Sequence, residues 1–222
     1  NINQMVGYGV RTKDGEQWSS PFMLEGTYGH YVWRTATYND HVYMCGRRTR
    51  DFAEIASLLE RSKSLQSQIL ASKDGKRFLP VGTFQEKDGD ETAFMFDNSG
   101  NITAVARRGR GTAELITLSA QFKVTTRQEL DRYIGGPFIG RFGDHTLVAG
   151  RNIVDGVSKM VICTLVAGKL EDLCELPAGG DCSYPSIIQL CPGCVLVSYY
   201  SSHEKDDNGK EIANIYLAEL EF

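Results

Sequence analysis

The 222-residue sequence predicts an all-β fold made of repeated antiparallel sheets. Three observations carry that prediction. Short apolar stretches such as Thr103-Ala104-Val105-Ala106 and Val195-Leu196-Val197-Ser198 have the alternation and residue types of strands. Polar or glycine-bearing turns separate them: Asn39-Asp40, Asn98-Ser99-Gly100-Asn101, Gly143-Asp144 and Pro192-Gly193. The unit formed in this way recurs four times along the chain.

The four copies are Gly29–Arg48, Gly89–Arg108, Gly135–Arg151 and Gly179–Tyr200. Each opens with glycine and polar residues, continues as a short apolar strand, turns, and closes with a second apolar strand. The first three end in arginine. Their starts lie 60, 46 and 44 residues apart, and a four-stranded propeller blade occupies about 40–50 residues. The chain therefore reads as a β-propeller with four full four-stranded blades in a single domain spanning 1–222. Residues 1–28 read as outer strands of a preceding blade. An insert at Asp51–Gln68 accounts for the long first spacing. Its stretch Phe52–Leu59 reads either as a short helix or as a loop.

A second element also repeats. Thr12-Lys13-Asp14-Gly15-Glu16-Gln17-Trp18 returns as Ser72-Lys73-Asp74-Gly75-Lys76-Arg77-Phe78. Asp-Gly forms the turn, the Ser or Thr hydroxyl bonds the backbone, and the closing aromatic is expected beneath the sheet.

Composition narrows the function. Apolar residues at 41% suffice for a core, and a net charge of −4 gives no footprint for nucleic acid. No apolar run approaches the roughly 20 residues of a membrane span. Asn1-Ile2-Asn3-Gln4 lacks the basic start and apolar stretch of a signal peptide. The six cysteines permit disulfides without requiring them. Cys191-Pro-Gly-Cys194 reads as a hairpin turn with free thiols or a local bridge, since a zinc site needs a second ligand pair and none is present. The acidic run Glu204–Glu211 reads as a solvated hairpin tip without the ligand spacing of a calcium loop. Gly135-Gly136-Pro137 is no phosphate loop, because no helix follows. No metal and no cofactor is expected.

In a propeller, the innermost strands line a central channel, and their starting ends form the usual pocket. The polar residues that open the repeats (Arg34, Asp90, Glu91, Asp181, Tyr184) are the first candidates. The arginines that close second strands (Arg47, Arg48, Arg107, Arg108, Arg151) come next.

The paired Asp-Gly hairpins resemble shortened Asp-boxes, and the chain resembles the sialidase-like (BNR/Asp-box) six-bladed propellers over residues 29–222. The sequence Glu91-Thr92-Ala93-Phe94-Met95-Phe96-Asp97, followed by Gly100, Ile102 and Arg107, is similar to the family's glutamate-to-arginine hairpin, with a spacing of 16. Arg151 stands nearest to the next clamp arginine. Asp181-Cys182-Ser183-Tyr184-Pro185-Ser186 fits the place of the nucleophilic tyrosine. The resemblance implies a secreted, extracellular or periplasmic glycoside hydrolase acting on an acidic or decorated glycan. Tyr184 would be the nucleophile, Glu91 its activating base, and Arg107 with Arg151 the holders of an anionic group. A tyrosine ionises near pH 10 and needs such a base, while arginine pairs with a carboxylate through two hydrogen bonds. The family's first clamp arginine and its acid/base aspartate belong to a blade without a counterpart here. Arg34 resembles a strand-opening arginine but lies only one blade before Glu91. Asp181 has the chemistry of an acid without matching the family's position. Tyr200 and His203, in Ser198–Glu204, are further ligand candidates.

Plainer readings stand beside these. Glu91 can serve structure by pairing with a blade arginine. Arg107 and Arg151 can tie blade to blade. Tyr184 can be a packed aromatic, His203 an exposed loop histidine, and His30 either a pocket-rim residue or a strand cap. The functional alternatives are a non-catalytic glycan-binding propeller and a polysaccharide lyase, in which Tyr or His beside Arg moves a proton next to a uronate. With fewer blades than the family, the ring must stay open, close with fewer blades, or recruit strands from another chain, and an open edge would allow self-association.

Overall fold

The structure, a computed structural model, describes residues 2–54, 60 and 63–222. It is mostly strand and carries four blade sheets of β-propeller type. The first is ordered β3-β4-β5-β6 (Tyr31–Tyr38, His41–Thr49, Leu65–Ser72, Leu79–Gln85). The second is β7-β8-β9-β10 (Thr92–Phe96, Ile102–Arg108, Gly111–Leu118, Val124–Glu129), and the third is β11-β12-β13-β14 (Gly135–Phe142, His145–Val154, Val157–Val166, Lys169–Leu176). The fourth has three strands, β15-β16-β17 (Cys182–Cys191, Cys194–Lys205, Glu211–Glu221), where the sequence predicted four. Residues 205–222 spend their length on one long antiparallel partner for β16, so β17 forms the sheet's edge. Upstream, β1 (Tyr8–Gly9) and β2 (Phe22–Met23) pair with each other as a short ribbon.

Turn chemistry sets these registers. Asn39 and Asp40 both have positive φ, as do Asp155 and Gly156. That is the type I′ geometry whose twist matches the flanking strands. Asp97 closes the β7–β8 turn with its carboxylate, accepting from the amides of Ser99 and Asn101 at 2.8 Å each. Asp206 does the same for Asn208 and Lys210 at the acidic tip between β16 and β17. That tip is solvated, as expected. In the insert, Arg50–Phe52 form a 3-10 turn. The rest of the stretch expected as helix or loop, 55–59, lies outside the described residues.

The chain divides into two compact units. The first comprises residues 1–91, 96–102 and 118–125. Its core joins Leu24, Met44, Leu70 and Phe78, with Phe22, Val32 and Val42 against them. Both Asp-Gly hairpins lie here and share one bonding scheme. Thr12 Oγ1 accepts from Gly15 N at 2.8 Å, and Ser72 Oγ from Gly75 N at 3.0 Å. Asp14 accepts from the amides of Glu16 and Gln17, and Asp74 from those of Lys76 and Arg77. The closing aromatics differ. Phe78 is buried at 2% exposure, whereas Trp18 is 58% exposed. Trp18 lies on the surface with its ring nitrogen donating to Gly15 O, so only one of the two aromatics packs as expected.

The second unit comprises residues 92–95, 103–117 and 126–222. It has two apolar layers. Ala93, Val105, Ala113 and Leu115 of the second blade pack with Ile139, Val148, Val161 and Cys163 of the third. Leu147, Ala149, Met160 and Ile162, on the third blade's other face, pack with Ile187, Val195, Val197 and Tyr199 of the fourth. The middle strands β12 and β13 are thus buried on both faces, which is why they read as unbroken apolar runs at 147–150 and 160–163.

Candidate functional site

Each unit brings several of the sequence candidates together. In the second unit, Arg151 ends the buried run of β12 and Asp181 precedes β15. They form an ion pair at 2.8 Å between Nη1 and Oδ1. The Tyr200 hydroxyl, on β16, donates to the same Asp181 oxygen at 3.0 Å. Arg151 Nη2 donates to the Tyr133 hydroxyl at 3.4 Å. The Arg107 guanidinium lies 5.6 Å from the centre of the Tyr133 ring, and its Nε donates to Gly109 O. Tyr184 stacks on Tyr200 with ring centres 6.0 Å apart. The result is a continuous group of five predicted residues (Arg107, Arg151, Asp181, Tyr184, Tyr200), in which Tyr133 joins Arg107 to Arg151.

Local backbone places these side chains. Ser183 pairs with Tyr200 across β15–β16, and the register then breaks between Ser183 and Ser186. Tyr184 and Pro185 occupy that bulge. Tyr184 has φ of 52° and is partly exposed. A positive φ in a bulky residue just before proline is a strained conformation, and such strain concentrates at functional positions. The inner strands of the first and third blades break register at the corresponding place, between Val32 and Thr35 and between Gly135 and Phe138. Arg34 sits in the former. Gly136, with φ of 55°, lies so close to β15 that a Cβ there would stand 2.3 Å from Ser183 Oγ. That close approach lets Ser183 Oγ donate to Gly135 O and ties the third blade to the fourth beside Tyr184.

The electrostatics assign protonation roles. Burial, reinforced by the bond to Asp181, pushes the Tyr200 phenol up to about 12. Tyr200 is therefore a neutral donor. Burial works against the charge on Arg151, but the Tyr133 bond and the Asp181 carboxylate more than offset it, and the guanidinium titrates above its ordinary value. The site thus offers a fixed cation, an exposed carboxylate and a stacked tyrosine pair.

In the first unit, Arg47, two residues before the end of β4, pairs with Asp90, just before β7, at 3.1 Å. Asp90 also accepts from the Glu91 amide and receives nothing but protein around it, being almost fully buried. The Arg47 guanidinium lies over Trp33 at 5.1 Å and Tyr31 at 5.9 Å. Glu91 is buried as well. His30 is buried with Nε2 at 3.1 Å from Gln68 Oε1, and burial holds its pKa below the ordinary value. It is a packed neutral imidazole and not a residue of a pocket rim.

The structure does not join His203 to the arginine group. Its Nδ1 is 2.9 Å from Ser201 Oγ and its ring lies 4.6 Å from Tyr216. Tyr133 is the participant that sequence reasoning missed. Its signal was the glycine two residues on, since a Cβ at Gly135 would meet the Tyr133 hydroxyl at 2.5 Å. Among the described residues, no cluster of three or more His, Cys, Asp or Glu side chains is arranged to hold a metal ion, and no helix is long and apolar enough to cross a membrane.

No family model matches the chain. No curated protein matches it either. Solved structures do. A protein of unknown function from Dyadobacter fermentans superposes with a TM-score of 0.74 at 15% identity, over 97% of this chain and 64% of that one. NanB, solved with Optactamide, gives 0.64 at 13% identity over 96% of this chain and 35% of that one. The GH43 endo-arabinanase from Bacillus licheniformis gives 0.57 at 15% identity over 96% and 88%. The chain thus spans less than two thirds of the Dyadobacter protein. These neighbours are β-propellers, several of them glycoside hydrolases. At such identities the likeness speaks for the fold alone, and the fold it establishes is the β-propeller.

Proposed function

We propose that this chain belongs to a carbohydrate-active propeller of the sialidase-like, Asp-box type that hydrolyses an acidic or decorated glycan outside the cytoplasm. The observation that carries the reading is the chain of contacts that links Arg107, Tyr133, Arg151, Asp181, Tyr200 and Tyr184 into one group. An anionic sugar substituent meets Arg151 in competition with Asp181, whose exposed carboxylate can be exchanged for the ligand's anionic group. Stacked Tyr184 and Tyr200 offer flat faces to a sugar ring. Tyr184 acts as the nucleophile. Arg107 adds positive charge to the ligand site. A tyrosine nucleophile suits an anionic sugar, which would repel a carboxylate.

Three features support the reading. Tyr184 is partly exposed and held in a strained backbone. The fold neighbours include glycosidases. The two Asp-Gly hairpins share one bonding scheme. One observation favours the non-catalytic alternative, glycan binding alone. Asp181 is engaged as an acceptor by both Arg151 and Tyr200, so it holds the site together and does not stand ready to donate a proton.

The test is a panel of sialylated, sulfated and uronate-bearing glycosides assayed for hydrolysis, with binding measured in parallel. Wild type is expected to bind the anionic members and release sugar from at least one. Tyr184→Phe should bind within about three-fold of wild type and lose at least about 100-fold in turnover. Binding without turnover in both proteins would select the binder. Equal turnover in both would remove Tyr184 as nucleophile. An unsaturated product from uronate polymers would select the lyase.

A further inference from the structure

The six cysteines differ in what faces them. Cys45, Cys163 and Cys182 are fully buried, and across their sheets they stand opposite Ile69, Val148 and Ser201. Cys174 is half-buried and stands opposite Ile162. Burial pushes the Cys163 thiol up to about 12 and raises those of Cys174 and Cys182. The thiolate is the reactive form, so buried thiols of this kind are inert.

Cys191 and Cys194 have a different setting. They end β15 and begin β16, and the register sets them directly opposite each other across Pro192-Gly193. Proline followed by a glycine of positive φ, here 77°, is the pattern of a type II turn. Opposed residues of an antiparallel pair have Cα atoms about 4.5–5.5 Å apart. A disulfide needs about 4.4–6.8 Å. Cys191 is exposed and Cys194 half-buried. The two thiols meet: after burial, the bond to Cys191 is what holds the Cys194 thiol above its ordinary value, and Glu219 and Glu221 act in the same direction. The turn also ties the sheet's three strands. Cys194 pairs with Glu221 of β17, and Phe222 N donates to Gly193 O at 2.9 Å. The ring of His145, which opens β12, meets the Phe222 ring edge-on at 5.1 Å.

We propose that Cys191 and Cys194 are a redox modification site, a dithiol that a small-molecule disulfide oxidises to a reversible bridge across the end of the fourth blade. Cys191, the more exposed, attacks one sulfur of the reagent as a thiolate and expels one thiol, leaving a mixed disulfide. Cys194 then loses its proton, attacks the Cys191 sulfur and expels the second thiol. The protein gives up two protons and two electrons, and the reagent takes both as it becomes two thiols. The carboxylates beside Cys194 disfavour its thiolate, which assigns the first attack to Cys191. The closed ring stiffens the turn on which β17 is anchored. The proposal is independent of the carbohydrate reading.

The reduced chain, equilibrated with glutathione disulfide, alkylated and mapped by mass spectrometry, tests it. Two of the six thiols should be lost, both within residues 191–194. The bridge should exceed the mixed disulfide at least about ten-fold, because the second thiol is held beside the first. Dithiothreitol should restore both. In Cys194→Ser the reaction should stop at a mixed disulfide on Cys191. In Cys191→Ser a mixed disulfide should form on Cys194 at least about five-fold more slowly. Both substitutions lie at a hairpin tip, so circular dichroism should be unchanged. In the bridged wild type, amide exchange at Phe222 should slow at least about three-fold. A wild type that keeps all six thiols overturns the proposal. So does one that bridges another pair, joins two chains, or stops at the mixed disulfide. Unchanged exchange at Phe222 in the bridged chain would overturn the claim that the bridge stiffens the blade's end.

Discussion

Arg47–Asp90 in the first unit and Arg151–Asp181 in the second are the same contact made twice. In both, an arginine closing the second strand of a blade reaches an aspartate in the segment that opens a later inner strand. In both, aromatic side chains flank the arginine. The difference is burial of the acid: the Asp90 side chain is 9% exposed and that of Asp181 67%. A carboxylate removed from water depends on its partner, whereas one in water is screened and exchangeable. The repeat therefore supplied one tie that holds structure and one whose arginine can trade its partner for a ligand. Identical bonding does not imply identical roles.

The largest expected effect lies at the buried tie. Asp90→Ala should cost about 3–5 kcal/mol, because it strands the Arg47 charge and takes an acceptor from the Glu91 amide. Chemical denaturation measures this. Arg47→Met combined with Asp90→Asn should recover most of the loss, since no uncompensated charge is left. A loss under about 1 kcal/mol for Asp90→Ala would show that the two ties are energetically alike and break the comparison. The Asp-Gly hairpins repeat the lesson with an apolar residue. Phe78→Ala should cost about 3–4 kcal/mol by leaving a cavity beneath the first blade. Trp18→Ala, in the same local bonding scheme, should stay within about 1 kcal/mol.

At the exposed tie, the expected stability change is small and the functional change is not. Asp181→Ala should alter unfolding free energy by no more than about 1 kcal/mol. It should strengthen binding of a carboxylated or sulfated sugar several-fold by releasing Arg151, and calorimetric titration measures that. The same substitution should move the Tyr200 phenol down from about 12, but only partway, because burial is the larger cause of its displacement and remains. Ultraviolet titration of the tyrosines reports it. If Asp181→Ala weakens anion binding, the carboxylate orients the arginine, and its exchange with ligand is excluded.

Burial is also where sequence reasoning ran out. The blade starts were legible because turns are local: Asn39-Asp40, Asp97–Asn101 and Pro192-Gly193 specify hairpins whatever surrounds them. Arg107, Arg151, Asp181, Tyr184 and Tyr200 were legible as candidates because a repeat puts equivalent residues at equivalent strand ends. What sits opposite each one was not legible. Trp18 and Phe78 close the same seven-residue pattern, yet only tertiary packing decides that Phe78 has a core beneath it. The third strand of the fourth sheet becoming an edge depends on which strands are available to pair, and Glu211–Glu221 alternates as any half-buried strand would. The bulge at Tyr184-Pro185 did leave a trace. Proline inside a strand is confined to edges and bulges, and Pro137 and Pro185 both fall at a register break.

The smallest expected effect concerns exposed carboxylates that the backbone holds. The amides of Arg77 and Lys76, with the Ser72 hydroxyl, lower the Asp74 pKa to about 2, against an ordinary value near 3.9. Asp14 is lowered in the same direction by the amides of Gln17 and Glu16. A carboxylate whose pKa is depressed by folding adds stability above its unfolded pKa and gives it up as pH falls through the folded value. The Asp74 turn should therefore hold from neutrality to about pH 4 and loosen progressively toward pH 2. Amide exchange at Lys76 and Arg77, whose N–H groups donate to Asp74, should rise in that window beyond what the intrinsic rate dictates. In Asp74→Asn, exchange at those amides should be faster at neutral pH and show no such step, because the neutral amide oxygen accepts the same bonds more weakly. Should the step persist unchanged in Asp74→Asn, the acid sensitivity belongs to another group, and the turn's stability would rest on packing around Phe78 in place of the carboxylate.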